Sequence, residues 1–150
     1  MTEKVIKIEE KINNVLFLIC LFITFLTLFV SLAEFFSRGE FPPSRINLFY
    51  VGILIIYSIH KEALRFLERS ASENIQRKGE LFVYLWIVIT ALLYLINFLS
   101  KDYFSYTVDG LKLKALADIT FITLEVGMVF VISRVLKLLM VRFLYKDGNK

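Results

Sequence analysis

The side chain best placed to do chemistry is Glu125. It lies near the middle of ALADITFITLEVGMVFVISRVLK (Ala115 to Lys137), an apolar run long enough to cross a bilayer. A charged carboxylate at the bilayer centre costs about 3 kcal/mol on insertion scales, so such an acid must face a protein interior, water or a partner. That makes it the first place to look for function.

Depth can be counted inward from the ends of the apolar runs. Glu34, Lys101 and Asp118 then form a rim, and Thr27, Tyr94 and Glu125 each lie seven residues deeper, about 10 Å at 1.5 Å per residue. Thr27 and Tyr94 are therefore expected to donate hydrogen bonds to Glu125. Two chemistries fit such a layer. One is interhelical glue around a neutral carboxyl group. The other is a proton- or cation-handling site whose mouth is the charged rim. Asp118 and Glu125 share a helix face but lie about 10 Å apart along the axis, which argues against a catalytic pair sharing one proton.

A second pattern concerns packing. Asn13, Cys20, Thr24, Thr27, Ser31 and Glu34 recur at spacings of 7, 4, 3, 4 and 3, which places them on one face of a helix. Small and hydroxylated residues on one stripe let helices approach closely in lipid, and Thr123 with Gly127 offers a similar small pair in the last run.

Other chemistry is not encoded. His60 and Cys20 are the only residues of their types, so neither a disulfide nor a His/Cys metal site can be built within one chain. His60 reads as a polar surface residue, with a pH sensor as the alternative. No glycine-rich phosphate loop, His-Glu-x-x-His or Gly-x-Ser-x-Gly occurs, so no cofactor or catalytic residue is assigned.

These residues must be positioned by membrane helices. Hydrophobic residues make up 57% of the 150 residues, above the roughly 45–50% of soluble proteins, and the excess falls in blocks. The expected fold is an all-α, polytopic membrane protein: one domain over residues 1–150, with four spans at about 14–36, 45–68, 80–100 and 115–140. Backbone groups at membrane depth must be bonded internally, and continuous rather than alternating apolar runs exclude a barrel.

Thirteen of the 18 basic residues lie in residues 1–14, 60–80 and 134–150. This positive-inside pattern predicts an inner-membrane protein with both termini cytoplasmic. The +4 charge then reflects topology and anionic headgroups rather than nucleic acid.

Three local features complete the expectation. A short interfacial helix over MTEKVIKIEEKINN leads into the first span, and Ser70-Ala71-Ser72-Glu73 has the form of a capping box. Two alternating runs flank Asp109-Gly110, which predicts a small extracytoplasmic β-hairpin. The function class is a structural or interaction subunit of a homo-oligomer or larger membrane complex. The alternative is a proton or cation channel or transporter using Glu125. The absence of motifs argues against an intramembrane enzyme.

Overall fold

The computed structural model describes residues 3–41, 46–67 and 80–147. They form four helices, α1 (Glu3–Phe36), α2 (Ile46–Leu67), α3 (Glu80–Leu99) and α4 (Ala115–Asp147), with a 3-10 turn at Tyr103–Ser105. The expected capping box at Ser70 to Glu73 lies outside the described residues.

α1 runs for 34 residues, about 51 Å at 1.5 Å per residue, because neither glycine nor proline interrupts it. The expected interfacial leader is therefore corrected: it is continuous with the first span. Its Glu9 carboxylate reaches to 3.7 Å from His60 Nε2 on α2, so the leader runs alongside a neighbouring helix. α4 is nearly as long, at 33 residues.

Among the described residues, three segments are long and apolar enough to cross a bilayer: Lys11–Phe36, Glu80–Leu99 and Ala115–Leu136. α2 falls short on its own. Its uncharged stretch ends at Ile59, before His60, Lys61 and Glu62, and covers about 21 Å against a core of about 30 Å.

α1 packs on α2, α2 on α4 and α4 on α3, and α1 also reaches α4. The centre is aromatic. Tyr50, Tyr57, Phe82 and Trp86 are fully buried, and the Trp86 indole Nε1 donates to the Tyr50 hydroxyl at 2.8 Å. That bond satisfies a donor which would otherwise be costly in a dry interior.

At the loop end, where α1 and α3 finish and α4 begins, two helix ends close in the same way. Gly39 N bonds Glu34 O and Arg38 N bonds Phe35 O, both at 3.3 Å. Asp102 N bonds Asn97 O at 2.9 Å and Lys101 N bonds Phe98 O at 3.1 Å. These are paired Schellman closures, with Arg38 (φ 55°) and Lys101 (φ 53°) in the left-handed position usually held by glycine. A cation there complements the negative end of the helix dipole.

The β-hairpin expected around Asp109-Gly110 is corrected, because no strand forms among the described residues. One antiparallel bridge, Tyr106 to Lys112, is all the pairing present. The physical reason is docking onto α1. Arg38 Nε and its terminal nitrogen donate to the carbonyls of Tyr106 and Thr107, both at 2.9 Å, and Phe104 turns inward to stack on Phe35 at 4.9 Å between centroids. A two-stranded ribbon is marginal by itself, so packing onto α1 decides the loop's shape. Gly39 makes this possible: its φ is +83°, and a Cβ there would meet Leu113 Cδ1 and Thr107 Cγ2 at 3.1 Å.

Candidate functional site

The polar row of α1 faces the bundle interior. Cys20, Thr24 and Thr27 are fully buried, and Asn13, Ser31 and Glu34 are nearly so. Thr24 Oγ1 donates to Cys20 O at 2.7 Å and Thr27 Oγ1 to Ile23 O at 2.8 Å, so both hydroxyls are satisfied by their own helix. Their small volume is what lets α1 approach its neighbours.

Glu125 lies elsewhere. It is the eleventh of 22 residues in the apolar segment Ala115–Leu136, midway along it, and its side chain is exposed on the surface of the single chain. No hydrogen bond or ion pair reaches it among the described residues. The expected Thr27–Tyr94–Glu125 layer is therefore corrected. Tyr94 is 48% exposed, and its hydroxyl shares a hydrogen bond with Thr120 at 3.0 Å. Thr120 and Glu125 are five residues apart, about 140° around the helix at 3.6 residues per turn, so Tyr94 and Glu125 lie on different sides of α4.

Thr123 does bridge helices, sharing a 2.6 Å hydrogen bond with Thr90 of α3. A Cβ at Gly127 would have nothing within 4 Å, so no tight helix approach within the chain depends on that glycine. At the rim, Glu34 lies within electrostatic reach of half-buried Asp118, while Lys101 points to solvent. Asn97 Nδ2 donates to Asp102 Oδ1 at 2.9 Å and to Ser105 Oγ at 3.0 Å, tying α3 to the loop.

A second charged site was not foreseen. At the end carrying the termini, α2, α3 and α4 line a cleft whose polar lining is Tyr57, Ser58, Lys61, Glu62, Ser133 and Arg134. Lys61 is 6% exposed and Glu62 9%, so both side chains turn inward instead of reaching for headgroups. Lys61 Nζ lies 5.9 Å from the Tyr57 ring centroid. Arg134 crosses to α3 to form a short ion pair with Glu80, and it stacks over Phe130 of its own helix. Sequence spacing gave one usable signal: Tyr57 and Lys61, like Phe130 and Arg134, are four apart and share a helix face. Convergence of three helix ends leaves no mark in the sequence.

Among the described residues no cluster of three or more His, Cys, Asp or Glu side chains could hold a metal ion. Fold and site together are those of a small, multi-pass α-helical membrane protein with three unmistakable apolar helices. Comparison with known proteins finds no family model that matches the chain, no curated relative and no matching solved structure.

Proposed function

We propose that this protein is a subunit of a membrane assembly in which copies of the chain associate through the outer face of α4. The observation that carries this reading is Glu125, exposed at the midpoint of a span. Facing lipid, that carboxylate costs about 3 kcal/mol when charged, and a second chain that supplies it with a hydrogen-bond partner offsets that cost. Around it lie Phe121, Leu124, Met128 and Ile132, all more than half exposed and able to pack against a like surface.

Four spans support the reading better than three. α3 begins beside α1, as the Phe17–Phe82 ring contact at 5.9 Å requires, so the chain must return from the loop end. α2 is the segment that returns, with Lys61 and Glu62 accommodated in the cleft. Even crossings and the basic bias then support an inner-membrane protein with both termini in the cytoplasm.

Disulfide cross-linking in membranes tests the proposal, since Cys20 is buried and will not compete. Met128→Cys is expected to cross-link between copies, whereas Leu48→Cys on the outer face of α2 is not. Glu125→Leu is expected to lower the cross-linked yield at least tenfold, while Glu125→Gln, which keeps a hydrogen-bonding group, retains most of it. Equal yields from positions 48 and 128, or none at 128, overturn the proposal.

The second reading is a proton or cation path, supported by the same acid if copies form a ring with Glu125 facing the axis. In liposomes it requires a flux that disappears in Glu125→Gln while assembly persists. Normal assembly without flux leaves the structural role.

A further inference from the structure

Association through α4 does not by itself say what Glu125 meets in the second copy. We infer, resting on that association, that two copies pair in parallel along one stripe of α4, so that Glu125 of one chain faces Glu125 of the other and shares a proton with it.

The stripe comes from spacing and exposure together. Phe121, Glu125, Met128, Ile132, Val135 and Leu139 follow one another at intervals of 4, 3, 4, 3 and 4, and every one of them is exposed. That alternation draws a nearly straight line along a helix, the line on which two helices interlock knobs into holes. The opposite side of α4 is taken, since Ile119, Ile122 and Val126 are buried in the bundle. A single self-complementary stripe closes as a pair, whereas a larger ring needs a second patch on each chain.

Symmetry then decides the contact. Copies inserted with the same topology lie parallel in one membrane, and the two-fold axis that relates them stands along the bilayer normal. Equal residues therefore lie at equal depth, and in a parallel pair each seam residue meets its own counterpart. Glu125 meets Glu125. No titratable group of its own chain competes for it among the described residues. Tyr94 lies on the other side of α4 with Thr120, Tyr50 and Tyr57 of α2 and Cys20 of α1 are buried in the bundle, and Asp118 is two turns away beside Glu34. Two carboxylates in contact away from water cannot both ionise, so at least one keeps its proton and donates it to an oxygen of the other. The hydrogen bond that neither helix can make alone is made between them, in a dry site where it is strong.

The test is a cysteine scan of the full chain in membranes. Phe121→Cys, Met128→Cys and Ile132→Cys are expected to cross-link about fivefold better than Leu124→Cys and Val131→Cys, which share the outer surface but lie off the stripe. In a Met128→Cys chain, Glu125→Lys is expected to cut the self cross-link about tenfold, because two ammonium groups then repel. Mixed with Met128→Cys chains that keep Glu125 and carry a size tag, the same lysine chain is expected to recover a mixed cross-link, because ammonium then faces carboxylate. The scan leaves Glu125 in place, so it decides the seam even where the lysine chain inserts poorly.

Even yields on and off the stripe, or a full self cross-link in Glu125→Lys, overturn the inference while position 128 still cross-links. So does a lysine chain that inserts normally yet gives no mixed product. Absence of any cross-link at position 128 instead removes association through α4 itself, so the two failures are distinguishable.

Discussion

α1 and α4 are almost equally long and each carries polar residues through the membrane, yet they place them in opposite directions. α1 turns Cys20, Thr24, Thr27 and Ser31 into the bundle, where its own carbonyls accept the threonine hydroxyl protons. α4 keeps Ile119, Ile122 and Val126 inside and leaves Glu125 outside. A hydroxyl can be satisfied within a single helix, so it serves the interior as a small neutral spacer. An ionised carboxylate has no proton to give those carbonyls, so it must find water or another molecule.

Three substitutions sharpen this contrast, beginning with the largest effect. Thr24→Leu forces extra volume into a site with no exposure and is expected to cost about 1–3 kcal/mol, read as a lower melting temperature in detergent. Tyr50→Phe leaves the Trp86 indole N–H without its acceptor and is expected to cost about 1 kcal/mol in the same assay. Thr27→Val keeps the volume and loses only a bond to its own helix, so a change within about 0.5 kcal/mol is expected. A large loss in Thr27→Val would mean that the α1 row works by hydrogen bonding across helices, and the contrast with α4 would then disappear.

The same contrast explains what could be read from the sequence. Six residues spaced 7, 4, 3, 4 and 3 apart define an angle around α1, and that face is indeed the buried one. Glu125 alone gives depth without angle. Its height was legible, but its direction depends on where α2 and α3 sit around α4. The Asp109-Gly110 turn was legible too, and Gly110 has the positive φ of 80° that such a turn uses. The flanking strands were not, because Arg38 and Phe35, nearly seventy residues earlier, tie the loop onto α1 through the Tyr106 and Thr107 carbonyls and the Phe104 ring. The cleft was hidden for a related reason. Lys61 and Arg134 look like ordinary interfacial bases until tertiary packing brings their helices together.

One consequence of the packing order concerns how the molecule is made. α4 touches each of the other three helices and is the last of them to leave the ribosome. Before it inserts, Thr90 lacks Thr123, Glu80 lacks Arg134 and one wall of the cleft does not exist. The first three helices must wait as an unfinished shell, and the arrival of the fourth completes the interior in a single event.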